Sequence, residues 1–176
     1  MNLEQFLDTL PEFAVDIKLN AKNLLNTTVL SKKQMLIILT ACAFAGKNKQ
    51  FLEIALETAK TDLTEVEINA AKISSTLMSM TNIYYRFTHL VSNEEYSKMP
   101  AGLRMNAMSP AKHGIEAIDF ELASTGVSAL NGCGMCMDSH EKTLKKHGVE
   151  SNKIQETVKI ASIVHALIVL QGNQNN

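Results

Sequence analysis

The sequence predicts an all-α fold, and three observations carry that prediction. Apolar residues recur at intervals of three and four through almost every segment, the period of a helix face rather than of a half-buried strand. Pairs with the spacing of a capping box, a hydroxyl followed three residues later by Gln or Glu, stand at segment starts. Glycines stand where segments should stop.

Taken in order, Leu10, Phe13, Ile17, Ala21 and Leu24 form the first apolar stripe. Ser31 with Gln34 opens the next helix. Its run Leu36-Ile37-Ile38-Leu39 has the composition of a buried strand, but continues without a breaker through Thr40-Ala41-Cys42-Ala43-Phe44-Ala45 and reads as helix, ending at Gly46. Thr64 with Glu67 opens another, whose stripe is Ile73, Leu77, Met80, Tyr84 and Phe87. Pro100, Gly102, Pro110 and Gly114 interrupt residues 92–118, which divide a first half of about residues 1–91 from a second of about 119–172. Gly132 and Gly148 end helices in the second half, and the polar tail Gln171-Gly172-Asn173-Gln174-Asn175-Asn176 should fray. Lys72-Ile73-Ser74-Ser75 is similar to Lys159-Ile160-Ala161-Ser162; setting the two in register places Gly46 opposite Cys133 and Lys49 opposite Cys136. On that register the first half keeps the framework without the thiols.

At 176 residues and 45% hydrophobic, the chain can bury a substantial core and is expected to form a single domain. Seventeen Lys and Arg against eighteen Asp and Glu leave a net charge of −1, with no global field for nucleic acid or an anionic membrane. Apolar runs fall short of the roughly 20 residues of a membrane span, and the acidic N-terminus is unlike a signal peptide, so the expected location is cytoplasmic. Three cysteines do not make a disulfide framework, but two of them stand together.

That pair lies in Asn131-Gly132-Cys133-Gly134-Met135-Cys136-Met137-Asp138-Ser139-His140. A helix beginning near Cys133 puts Cys136 in its first turn and His140 one turn further on the same face. Unpaired amides and the macrodipole at a helix N-terminus lower a thiol pKa, and the thiolate is the nucleophile of disulfide and peroxide chemistry. A sulfenic acid on one cysteine can be condensed by the other before over-oxidation. His140 is the favoured near-neutral proton shuttle. Glu121, an acid in the apolar segment Phe120-Glu121-Leu122-Ala123, is the favoured orienting carboxylate, although by itself it reads equally well as a solvated helix residue. Glu116 and Asp119 are rivals, Asp119 being better explained as a helix N-cap.

Plainer readings apply elsewhere. Cys42 is expected to be an inert buried thiol. His89, His113, His147 and His165 are expected to be structural or solvated, with His165 packed and its nitrogens bonded. Zinc held by the cysteine pair and His140 is disfavoured, because no second ligand pair follows at structural-zinc spacing. The nine methionines are gap fillers as a group, though Met135 and Met137 flank the thiols and could form an apolar lip for an organic peroxide.

With these residues assembled, Phe120-Glu121-Leu122, Val127-Ser128-Ala129, Asn131-Gly132-Cys133, Cys136 and His140-Glu141 together resemble the core of the AhpD alkyl hydroperoxide reductases, within the carboxymuconolactone decarboxylase-like superfamily. Tyr84-Tyr85-Arg86-Phe87, Leu103-Arg104-Met105-Asn106, Leu144 and Gly148-Val149 extend the likeness over most of the chain. The resemblance implies an all-α, two-repeat subunit assembled as a homotrimer. It implies that Cys136 is the attacking thiol and Cys133 the resolving one, with His140 and Glu121 relaying protons. It implies no tightly bound cofactor, electrons from a dihydrolipoamide-bearing acyltransferase served by lipoamide dehydrogenase, and delivery to an AhpC-type peroxiredoxin or directly to a hydroperoxide. Some members carry a histidine just before the second cysteine, whereas here Met135 stands there and cannot relay a proton. Two other readings stay open: a decarboxylase or lactone-processing member of the superfamily, and a non-catalytic redox sensor.

Overall fold

A computed structural model describes residues 1–173, and Gln174, Asn175 and Asn176 of the polar tail lie outside them. The helices are α1 (Leu3–Asp8), α2 (Val15–Leu25), α3 (Lys32–Ala45), α4 (Lys49–Ala59), α5 (Glu65–Leu90), α6 (Glu95–Lys98), α7 (Pro110–His113), α8 (Ala117–Leu130), α9 (Gly134–Lys146) and α10 (Ser151–Asn173). Short 3-10 turns cover Glu12–Ala14 and Asn106–Met108. No strand occurs among the described residues, so the all-α expectation is met.

Both capping boxes form. The Ser31 side chain accepts from the Gln34 amide and the Gln34 side chain accepts from the Ser31 amide, and Thr64 and Glu67 repeat the arrangement. The Leu36–Leu39 run is helical and fully buried, because α3 is the central helix and packs against α4, α5, α8 and α10. It crosses α8 closely at Gly126, where a Cβ would lie 3.2 Å from both the Cys42 Sγ and the Ile38 Cγ2. A side chain there would crowd the Cys42 and Ile38 side chains of α3, which would have to shift slightly.

Several expectations are corrected. Pro11 breaks the first stripe, so α2 begins at Val15 and Phe13 is left 82% exposed in the 3-10 turn before it. On α5 Met80 and Phe87 of the expected stripe face outward, while Leu77 packs against the core and Ile73 and Tyr84 are half-buried. The inner face instead carries Ala70, Ala71, Ser74, Ser75, Met78, Thr81 and Asn82, matched to α8 through Ser74–Ser124 and Asn82–Ser128 hydrogen bonds, each 3.0 Å. Ile83, Phe87 and Leu90 remain exposed on this helix, with Phe87 edge-on to Tyr96 of α6. At Gly46 the backbone is right-handed and Lys47 takes the positive φ of 57°. A Cβ at Gly46 would lie 2.1 Å from the Ile168 Cδ1, so a side chain there would require Ile168 to turn aside.

Helix α10 does not fray at Gln171, which is buried and hydrogen-bonded to Gln50. By length and mean hydropathy α10 also reaches what a membrane crossing requires, contrary to the reading of its apolar run as too short. Its inner face packs on α3 and α8. His165 is exposed on this helix rather than packed.

Candidate active site

The turn from α8 to α9 fixes the cysteine pair. Asn131 ends α8, Gly132 takes φ 67°, and the amides of Gly132 and Cys133 return to the carbonyls of Ala129 and Ser128, each at 3.0 Å. This Schellman closure satisfies the last carbonyls of α8 and requires a residue at ease with positive φ. The residue that completes it, Cys133, is also the N-cap of α9, where its Sγ accepts from the Cys136 amide at 3.3 Å. Cys133 and Cys136 are joined as a disulfide with Cα atoms 5.3 Å apart.

The two sulfurs sit in different surroundings. Cys133 is fully buried, whereas Cys136 is slightly exposed and lines a cavity of about 310 Å³. Met78, Thr81 and Tyr85 from α5, Met105 and Met108 from the connection, and Met135, Ser139 and His140 from α9 complete the wall. Met135 therefore stands at the mouth as expected, but Met137 is not part of the lining, because one helical step turns it away.

His140 is buried, and its Nδ1 lies 2.7 Å from the Glu121 Oε2. Glu121 projects from α8 with a side chain 20% exposed, so the carboxylate singled out in the sequence meets the singled-out imidazole. The rivals are placed elsewhere. Glu116 is the residue preceding α8, and Asp119 is not its N-cap: it lies in the first turn, where its Oδ1 accepts from the Gln34 Nε2 at 2.8 Å.

The remaining candidates fall outside this constellation. Cys42 is wholly buried in α3, and burial pushes its thiol up to about 12, so it stays protonated. His113 stacks on Phe120 with ring centroids 4.1 Å apart, and its Nδ1 accepts from the Ile115 amide. Burial pushes this imidazole below its ordinary value, against the opposing pull of the Met108 carbonyl and the Glu121 charge. His89 and His147 are exposed, the latter bonded through Nδ1 to the Thr143 carbonyl. Among the described residues no group of three or more His, Cys, Asp or Glu side chains is arranged to hold a metal.

Sequence reasoning missed the supports behind the turn. Asn82 donates to the Ser128 Oγ and accepts from the Asn131 Nδ2, while the Arg86 guanidinium donates to the Asn131 carbonyl at 2.7 Å. It also placed Met78 among the gap fillers, whereas its Sδ lies 3.2 Å from the His140 Nε2. No local pattern signals such contacts, which join residues 45 to 62 positions apart.

Comparison with known proteins finds relatives over nearly the whole chain. A profile of the Carboxymuconolactone decarboxylase family matches residues 94–171, which include most of the connection, α8, α9 and most of α10. The chain is 45% identical to an alkyl hydroperoxide reductase AhpD of Solibacter usitatus, over 97% of this chain and 95% of that one. It is 46% identical to the AhpD of Acidobacterium capsulatum, over 95% and 91% of the two chains, and 42% identical to that of Coxiella burnetii, over 94% of each.

Proposed function

The chain belongs to the AhpD family of alkyl hydroperoxide reductases, and from that premise we propose that it is an oxidoreductase that turns over through the Cys133/Cys136 dithiol. One observation carries the assignment of roles. Cys136 faces the methionine-walled cavity beside a His140–Glu121 pair, while Cys133 lies wholly buried behind it.

In the reduced enzyme His140 takes the Cys136 proton, and Glu121 holds the imidazole and balances its charge. The Cys136 thiolate attacks the terminal oxygen of a hydroperoxide. The O–O bond breaks, a sulfenic acid forms on Cys136, and the alkoxide leaves with the proton carried by His140. The Cys133 thiol then condenses with the sulfenic acid, releasing water and forming the disulfide.

Reduction runs through the same opening. A dihydrolipoyl thiolate attacks Cys136 Sγ and expels Cys133 as a thiolate, and the second lipoyl thiol resolves the mixed disulfide to leave lipoamide and the enzyme dithiol. The Cys136 amide already directed at Cys133 Sγ would stabilise that leaving thiolate. Such a cycle needs no tightly bound cofactor. The electron donor in this reading is a lipoylated acyltransferase recharged by lipoamide dehydrogenase, and the acceptor is a hydroperoxide or the disulfide of an AhpC-type peroxiredoxin. A cytoplasmic location suits these partners. The exposed Ile83, Phe87, Leu90 and Met99 supply apolar surface consistent with assembly as a homotrimer.

The decisive assay is peroxide-dependent NADH oxidation with lipoamide dehydrogenase and lipoamide, with and without an AhpC-type peroxiredoxin. Wild type should turn over and Cys136→Ser should not; dependence on the peroxiredoxin would make this chain its reductant rather than the peroxidase. Equal rates in the two proteins would rule out Cys136 as the attacking thiol. Light scattering at micromolar concentration should give three times the chain mass of 19.4 kDa, and a monomer mass would reject the trimer.

A further inference from the structure

Met78 is buried, carries no charge and lines the same cavity as Cys136 and His140. Its sulfur is nevertheless approached by three polar groups: the His140 Nε2 at 3.2 Å, the Thr81 Oγ1 at 3.8 Å and the Asn82 Nδ2 at 4.0 Å. A thioether sulfur can accept a hydrogen bond but cannot donate one. Glu121 occupies the other ring nitrogen of His140, so both sides of the imidazole face acceptors. The other titratable groups of the cavity wall are Cys136 on α9 and Tyr85 on α5.

We propose that Met78 is a positioning residue for His140, its sulfur receiving the Nε2–H when the imidazole has taken the proton of Cys136. The proposal rests on the reading of His140 as the proton carrier for Cys136. With Glu121 accepting from Nδ1, the Cys136 proton goes to Nε2, the nitrogen beside the Met78 sulfur, and the Nε2–H is then shared between the thiolate and that sulfur. A carboxylate there would bind the proton strongly and resist giving it back to the leaving alkoxide. Sulfur is a weaker acceptor, so it orients the ring and offsets the cost of its charge without trapping the proton.

The anchoring of Met78 supports this role. Asn82, which donates toward the Met78 sulfur, also binds Ser128 and Asn131, and Ser128 supplies the carbonyl that receives the Cys133 amide. The sulfur that meets His140 and the turn that carries Cys133 are thus held by one carboxamide, which keeps the relay and the thiol pair in register.

The test uses the pH dependence of Cys136 alkylation by iodoacetamide in the reduced full-length enzyme, a reaction that requires no peroxide or lipoyl partner. Met78→Leu keeps the volume and removes the acceptor; its alkylation profile should move to higher pH and its alkylation rate at neutral pH should fall about fivefold, the loss of one hydrogen bond. Met78→Gln restores an acceptor through its amide oxygen and should return the profile toward wild type. An unchanged profile in Met78→Leu would overturn the proposal, as would equal displacement in both variants, which would assign the effect to packing. His140→Gln serves as the reference: if it shifts the profile and Met78→Leu does not, the Met78 role alone fails, whereas no shift in either rejects the relay itself.

Discussion

The turn between α3 and α4 and the turn between α8 and α9 share one backbone design with opposite chemistry. In each, a 14-residue buried helix ends, one residue takes positive φ, and the next caps the following helix through its side chain. Lys47 and Gly132 take the positive φ, and Asn48 and Cys133 are the caps. Counting from the caps, Glu121, Cys133, Cys136 and His140 correspond to Leu36, Asn48, Phe51 and Ala55. The first set is a carboxylate, two sulfurs and an imidazole, of which Cys136 and His140 line a cavity; the second is a packed interior, with Phe51 fully buried and edge-on to Phe6 of α1. A shared helix-turn-helix geometry therefore tolerates either a core or a reactive pair, and side chains alone decide which.

This pairing is shifted by two residues from the one expected from Lys72–Ser75 and Lys159–Ser162, which set Gly46 and Lys49 against the cysteines. The reason is local: α9 is 13 residues long and α4 is 11, so a register taken after these helices does not hold before them.

Exchanging counterparts tests the comparison. The largest effect should come from His140→Ala, which gives the second turn the residue of the first. On the proposed role of His140 as proton carrier, its loss should lower turnover roughly 10²- to 10⁴-fold in the lipoyl-coupled assay with the helical circular dichroism retained; wild-type turnover would show that the imidazole is only packing. The reverse lesson comes from Phe51→Ala, which should cost about 3–5 kcal/mol in urea unfolding while leaving the turnover of the folded protein near wild type. A small stability change would mean that the first turn is not a true core.

Smaller changes probe the caps. Asn48→Ala removes the acceptor for the Phe51 amide and should destabilise by about 1 kcal/mol, measured by the same unfolding curves; no change would separate the two turns in design. Least of all, Glu67 bears on the helix that carries Met78. Burial raises its pKa, but the Lys33 ion pair and the Thr64 hydrogen bonds outweigh burial and hold the carboxyl below its ordinary value. A lowered folded pKa contributes stability that is present above the usual carboxylate range and lost as pH falls through the folded value. Glu67→Gln should therefore lower the stability near neutral pH and converge on wild type in acid, and a gap that widens in acid would reverse the sign.

Features set by interactions within about one helical turn could be read from the residues alone. Capping boxes at Ser31 and Thr64, the left-handed Gly132 and the spacing of Cys133, Cys136 and His140 are all local, and each formed as read. Which face of α5 turns inward is set by packing across the fold. Helical periodicity marks a stripe, but burial depends on the partner surface, and α8 presents Ser124 and Ser128 that select the Ser74 and Asn82 side rather than the Met80 and Phe87 side. The meeting of Glu121 with His140 was anticipated by resemblance, since spacing alone fits a solvated carboxylate equally well. The Met105 and Met108 wall and the Met78 sulfur on the imidazole had no signal at all, because they join segments that only packing brings together.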